Sequence, residues 1–331
     1  MAEIRNLPWE KLSGCNILVT GATGLIGSYL VDVLMTNPKK DYQVYALGRN
    51  EERAQIRFFQ FKDDSSFHFL FGDVTLHLPY DVPFHFIIHA ASNGSPNFFA
   101  NNPVEVMKSN LYGVSNLIEY GLCHDMKRFL FVSTGEVYGV NETEVLDENS
   151  YGYVDILDTR SCYPCSKRAA ETLAMSYASE YGADVVVARP CHTYGPHFTE
   201  SDNRVYAQFI RNVLNSEDIV MKSAGTQYRS WCYVEDCVSA LLYILLKGKC
   251  GEAYNVADKN SIVTIRELAE MIADIAGLKV VMKIPSDNEK KVFSPIKRAV
   301  FDTSKIESLG WFVNGTMEEK MRKTIIICRG V

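Results

Sequence analysis

The chain has no long apolar run. Its longest strongly apolar stretch, Ala240 to Leu246, falls far short of the roughly 20 residues that a bilayer-spanning helix needs, and the opening MAEIRNLPWEKLSG carries no apolar signal core. Both absences predict a cytoplasmic protein with no membrane partner. Excess positive charge is missing too: 34 Lys+Arg stand against 40 Asp+Glu, a formal net charge of −6. No basic field exists to hold a nucleic-acid backbone, so an anionic ligand must be met by a few local groups. The nine cysteines are odd in number and have no framework spacing, which predicts reduced thiols in a reducing compartment. One C-x-x-C pair, Cys162 and Cys165, has neither a second pair nor two histidines at ligand spacing, and no metal site is expected. Repeats, low-complexity tracts and linkers are also absent. What is there is 47% apolar and 22% charged over 331 residues, a globular composition with material for about two lobes.

Short β-branched or apolar runs alternate with helical patterns. Asn16 to Thr20 reads as a strand ending in glycines, and Leu25 to Met35 as a helix closed by Asn37-Pro38. Further strands are expected at Tyr42 to Leu47, His68 to Leu70, Phe84 to His89, Arg128 to Ser133 and Asp184 to Arg189, with helices at Val104 to Cys123 and Ser166 to Tyr181. Such alternation implies right-handed crossovers and one parallel sheet of six or seven strands. Beyond Arg189-Pro190 the regularity fades, although Val205 to Asn215, Val234 to Lys247 and Thr264 to Ala276 read as helices. The expected architecture is α/β: a Rossmann-type doubly wound sheet over 1–190, with a returning helix near 234–250, and a smaller mixed α/β C-terminal substrate lobe over 191–331.

Gly21, Gly24 and Gly27 in TGATGLIG follow a strand and open a helix, the context in which glycines make a tight turn and bring backbone N–H groups to a pyrophosphate. Leu25 and Ile26 lie inside this turn. The second strand ends Leu47-Gly48-Arg49-Asn50, without the carboxylate that would accept the ribose hydroxyls of NAD. Arg49 either faces the 2′-phosphate of NADP or is a solvated cation. Tyr163 and Lys167 form a Y-x-x-x-K array at a helix start, so both project from one face. A nearby ammonium favours the phenolate, making Tyr163 a general base for a substrate hydroxyl. Ser133 and Thr134 in VSTGEVYG could hold the same hydroxyl, and Asn110 in KSNLYG adds support.

The G-x-x-G-x-x-G spacing, the Ser/Thr strand end and Y-x-x-x-K, in that order, resemble the extended short-chain dehydrogenase/reductases that act on nucleotide-diphosphate sugars. The resemblance spans nearly the whole chain and implies tightly held NAD, or alternatively NADP. It assigns Asp73 and Val74 to adenine, Ala90, Ala91 and Ser92 to the cofactor-lining end of the fourth strand, and Arg189-Pro190 to the stretch beside the nicotinamide. It assigns Arg229 and Arg298 to the substrate pyrophosphate, and it implies a homodimer built on the helices at Val104 to Cys123 and Ser166 to Tyr181. The local segments HAASNGSPNFFANNP, TRSCYPCSKRAAETL and SDNRVYAQFI look like those of UDP-glucuronate decarboxylases, bringing Ser95 and Arg204 into the substrate set. In that reading Tyr163 is the base, Lys167 lowers its pKa, Thr134 positions O4 and Glu136 lies near C5 and C6.

Two departures stand out: Gly135 replaces a small hydroxyl residue, and His192 replaces an asparagine on the phosphate side. A 4,6-dehydratase needs an Asp-Glu pair after Thr134, and Gly135-Glu136 lacks its acid. The leading expectation is a UDP-glucuronate decarboxylase-like enzyme. A UDP-hexose 4-epimerase is the alternative, and a catalytically idle NAD(P)-binding sensor is the reading from a different class.

Overall fold

β1 (Asn16–Thr20) is buried along four of its five residues and pairs in parallel with both β2 (Gln43–Gly48) and β4 (Phe86–His89). This double pairing explains its unbroken apolar sequence, since a central parallel strand is covered on both faces. The computed structural model describes residues 7–283, 285 and 296–330; the first six residues of the opening stretch therefore lie outside it. After α1 (Leu25–Thr36) and β2, the chain passes through α2 (Glu51–Arg57) to β3 (Phe67–Phe71). It then crosses back to β4 and continues through α3 (Pro96–Asn101), α4 (Pro103–Cys123), β5 (Arg128–Val132), α5 (Cys162–Tyr181) and β6 (Val185–Pro190). With β10 (Ala253–Val256) at one edge, the sheet order is β10-β6-β5-β4-β1-β2-β3, and every neighbouring pair is parallel. The order in which strands are added reverses between β1 and β4, and the loops leaving those two strands flank the crevice where open α/β sheets bind ligands.

The seventh strand was not placed from sequence. It is β10 (Ala253–Val256), which docks on β6 in the register Asn255↔Arg189. Four residues are too few to show a period, and the strand forms because β6 offers it a buried edge. The helix before it, α7 (Val234–Lys247), buries ten residues from Val234 to Leu246 and packs against α1, β5 and β6. The C-terminal third thus supplies one helix and one strand to the main sheet.

The rest of that third forms a second layer over the crevice. β7 (His192–Tyr194), β11 (Ile262–Thr264) and β13 (Arg298–Ala299) all pair with β9 (Tyr228–Tyr233), while β8 (Ile219–Met221) pairs with β12 (Val280–Met282). α6 (Val205–Leu214) and α8 (Ile265–Ala276) pack on each other beside them, α8 starting from a complete Thr264/Glu267 capping box. Among the described residues no helix is long and apolar enough to cross a membrane.

Candidate active site

Backbone proximity shapes the turn after β1. Gly21 has φ +64°, and a Cβ there would lie 2.7 Å from the Ala90 carbonyl oxygen and 2.7 Å from Ala91 Cα; only glycine combines that conformation with that approach. A Cβ on Gly27 would lie 2.3 Å from Gly21 O, so α1 begins hard against the turn. Gly24 precedes α1 and no side chain caps it, leaving the first amides of a twelve-residue helix free for an anion. The residues present fit a dinucleotide pyrophosphate. Gly21, Gly24, Leu25, Ile26, Gly27, Asp73, Val74, Ala90, Ala91 and Ser92 all line one cleft. His89, at the end of β4, shares a 2.8 Å hydrogen bond with Thr20 Oγ1, and burial, with Lys167 nearby, pushes its pKa down to about 3. It is packed and neutral.

At the adenosine end Arg49 reaches Asp73 at 3.4 Å, an exposed pair of little energetic weight. Arg53 and Asn50 line the same end and were missed from sequence, because nothing in LGRNEER distinguishes them from surface residues. The cleft encloses about 1090 Å³, at or above the upper end of the roughly 300–1,000 Å³ of a single small-molecule site.

Tyr163 and Lys167 sit one turn apart at the start of α5. The Tyr163 ring stacks on Phe99 with centroids 4.4 Å apart, and Thr134, whose Oγ1 accepts from the Glu136 amide at 3.3 Å, lines the same cleft. Burial, then the Glu136 carboxylate, push the Tyr163 pKa up to about 12, opposed by Thr134, Arg204 and Arg160. Lys167 is 2% exposed; its Nζ donates to Val132 O at 2.9 Å and stands 4.6 Å from the centroid of the Phe131 ring. Burial pushes its pKa down to about 7, against the pull of Glu171. Glu136 lies on the same wall, paired with Arg160, which precedes Tyr163 by three residues. Arg160 was not singled out from sequence, although TRSCY placed a cation beside the tyrosine.

At the far end Ser95 Oγ donates to Asn203 Oδ1 at 2.6 Å, and both residues line the cleft. Arg204 is gripped by Asp202 and reaches Thr193 O, while Arg229, nearly fully buried, donates to Tyr228 O and Ile296 O. Burial brings the Arg229 pKa down to about 10. His192 opens into the cleft over Trp231, with ring centroids 5.2 Å apart. The protein atoms around it, then Arg229 and Arg204, push its pKa down to about 3, and the imidazole is neutral.

Three expected site residues are turned elsewhere. Asn110 is buried inside α4, where Nδ2 donates to Ser166 Oγ at 2.9 Å and Ser166 in turn donates to Tyr163 O; it braces the first turn of α5. Arg189 does not line the cleft, because its guanidinium is held by Glu171, Tyr138 and the Glu148 carbonyl. Pro190 does line it. The exposed Arg298 donates to Glu144 O at 2.8 Å and lies over the Tyr228 ring, outside the cleft lining. Ser133 lines the cleft, but its hydroxyl donates to Glu171 Oε1 at 2.5 Å, away from any sugar. Cys162 Sγ faces the Phe99 carbonyl and all nine cysteines are free.

The site has close relatives. UDP-glucuronic acid decarboxylase 6 of Arabidopsis thaliana is 34% identical over 307 residues, covering 90% of this chain and 84% of that protein. UDP-glucuronic acid decarboxylase 1 of Xenopus tropicalis is 30% identical, covering 93% and 71%. Among solved structures, a UDP-glucose 4-epimerase of Thermotoga maritima with UDP-glucose superposes with a TM-score of 0.80 at 25% identity, covering 95% of this chain and 99% of that one. The pattern of one family covers residues 17–257, from β1 past β10, and so takes in the glycine turn, the Thr134 strand end and the Tyr163–Lys167 pair. On that span and those relatives, the chain belongs to the NAD dependent epimerase/dehydratase family.

Proposed function

We propose that the protein acts on a nucleotide-diphosphate sugar, UDP-glucuronate in the leading reading, through transient oxidation at C4 and loss of the C6 carboxyl as carbon dioxide. The observation that carries this reading is the grouping of Thr134, Tyr163, Lys167 and an Arg160-bound Glu136 on one cleft wall. When bound, the nicotinamide supplies reversible oxidation at C4. Tyr163 receives the C4 hydroxyl proton and, once the oxygen is a carbonyl, holds it by hydrogen bonding. Lys167 stabilises the phenolate, since a neighbouring ammonium offsets the cost of a buried anion. A C4 ketone stands β to the C6 carboxyl, so the C5–C6 bond breaks with its electron pair delocalised toward the carbonyl oxygen that Tyr163 holds. Arg160 and Arg204, the two cations acting on Tyr163, suit an anionic sugar, and Arg229 with Arg204 suits the diphosphate.

A dehydratase needs an acid at residue 135. Gly135 has no side chain, and the Phe301 ring fills the place where one would begin. The second reading, a 4-epimerase, needs no acid at that position, so a glycine backed by Phe301 is compatible with it. The nine free thiols support a reducing, cytosolic setting. Exposed Met107, Tyr112 and Leu122 on α4 and Tyr181 on α5 support a homodimer through those helices.

The test is to incubate the protein with UDP-glucuronate and follow the sugar carbons by NMR. Loss of C6 supports decarboxylation, and a product that keeps C6 with inverted C4 supports epimerisation. Tyr163→Phe should lower turnover about 10²- to 10⁴-fold, the usual contribution of a positioned acid–base group, while still binding cofactor. Full turnover by that variant defeats the assignment.

A further inference from the structure

Behind the cleft wall lies a buried polar cluster that the proposed reaction does not use. Glu171, one turn beyond Lys167 on α5, accepts from Ser133 Oγ at 2.5 Å and from Arg189 Nη2 at 2.7 Å and Nε at 3.1 Å. Both members of the Glu171–Arg189 pair are largely buried, with side chains 12% and 6% exposed. Arg189 is anchored further by Tyr138 OH and Glu148 O, and Tyr138 OH donates to Asn255 Oδ1 on β10. The carboxylate therefore cannot swing away. Lys167 is also sealed, with Nζ on Val132 O and the Phe131 ring beside it.

We propose that Glu171 is a positioning residue for the Tyr163–Lys167 pair, its clamped carboxylate lying one helical turn from Lys167 and supplying the negative charge that keeps the buried ammonium protonated. The inference rests on the reading of Tyr163 and Lys167 as the reacting pair. Charged or titratable groups around Lys167 come from each packed element. Glu171 and Tyr163 are on α5, Arg189 is on β6, His89 is on β4 and Glu136 lies in the turn after β5. His89 is neutral, Glu136 is paired with Arg160, and Arg189 is a cation paired with Glu171 itself. Glu171, one helical turn away, is the anion among them whose charge favours the protonated lysine. One turn of helix is the spacing at which i and i+4 side chains of opposite charge support each other.

The test compares two substitutions with opposite signs, each in the cofactor-loaded protein. Glu171→Gln keeps the shape and removes the anion, so Lys167 loses its proton at lower pH and the alkaline limb of kcat moves down. Arg189→Gln removes the cation that offsets the Glu171 charge, so the same limb moves up. A shift of about one pH unit lowers activity on the alkaline side roughly tenfold. Glu171→Asp, which restores the charge, should bring the limb back toward wild type. The lysine Nζ resonance of ¹⁵N-lysine protein, titrated without substrate, should follow the same order. If Glu171→Gln does not fold, the Arg189→Gln and Glu171→Asp profiles decide. Limbs that stay fixed, or move the same way in the two glutamine variants, overturn the proposal. Activity surviving in Tyr163→Phe overturns instead the reading on which it rests.

Discussion

Arg160 grips Glu136 with both terminal nitrogens, Nη1 to Oε2 at 3.1 Å and Nη2 to Oε1 at 3.3 Å, on the cleft wall that also carries Tyr163. A two-point fork of this kind fixes the carboxylate in orientation as well as in charge. The pair acts on Tyr163 in opposite senses, Glu136 raising its pKa and Arg160 lowering it. Removing the cation alone, in Arg160→Leu, leaves an unneutralised carboxylate beside the phenol. Tyr163 then releases its proton at higher pH, and the acid limb of kcat should move up by about one unit, a roughly tenfold loss near pH 7. Arg160→Lys should recover part of it, since the charge returns without the fork. A kcat–pH profile that stays in place in Arg160→Leu shows that the ion pair is only structural.

Gly135 and Phe301 fit each other as closely as Arg160 and Glu136. A Cβ at residue 135 would lie 2.0 Å from Phe301 Cζ, and the Phe301 ring is fixed edge-on to Tyr138 with centroids 5.5 Å apart. Gly135→Ser should therefore cost about 1–3 kcal/mol, the usual range for overpacking. Phe301→Ala alone should cost about 3–5 kcal/mol through the cavity it leaves. Combined, the two should cost clearly less than their sum, because serine occupies part of the vacated space. Urea unfolding of the four proteins measures this, and strict additivity rules out the contact as the reason for glycine.

The residues that sequence alone located are those whose partners lie nearby along the chain. Gly21, Gly24 and Gly27 form one turn, and Tyr163 and Lys167 lie one helical turn apart, so local spacing carries their geometry. Arg189 and Arg298 read as ligand cations because an arginine in a motif shows its charge and not its partner. The partners are Glu171, across the β6–α5 packing, and the Glu144 carbonyl, which are set by tertiary folding. Asn110 was misplaced in the same way, since its bond to Ser166 exists only once α4 lies along α5. Gly135 was visible as a departure, but its cause, Phe301, arrives from the other end of the chain. β10 is an edge strand that β6 induces, and four residues leave no periodic trace.

His89 links stability to acid. Its pKa in the folded protein is about 3, depressed by burial and by Lys167 from an ordinary 6.5. As pH falls below 6.5 the unfolded chain binds a proton that the folded chain refuses. The stability contribution is complete above about pH 6.5 and is lost as pH drops toward 3. Between pH 7 and pH 5 this amounts to about 2 kcal/mol from this one side chain. A non-titrating replacement, His89→Asn, should start less stable because the packing around Thr20 is disturbed, yet lose less on acidification. Urea unfolding at the two pH values gives the comparison, and equal losses in the two proteins would mean that His89 takes up its proton near the ordinary value.

Arg49 is the residue on which a preference between NAD and NADP can be tested. It stands just past β2, where a ribose-binding carboxylate is absent, and its one described partner is Asp73 at 3.4 Å in an exposed pair. A pair so weakly held yields readily to a 2′-phosphate, which offers more charge and a better match to the guanidinium fork. NAD carries a neutral hydroxyl in place of that phosphate, a weaker partner for a guanidinium. Arg49→Ala should therefore weaken NADP about tenfold, the scale of one charge-assisted hydrogen bond, while NAD stays within about twofold. Fluorescence titration of cofactor-stripped protein with each dinucleotide tests this. Equal losses for both would place Arg49 on the shared diphosphate or adenine. No loss for either would make it a surface cation and leave the half-buried Arg53, on the same cleft wall, as the cation able to discriminate.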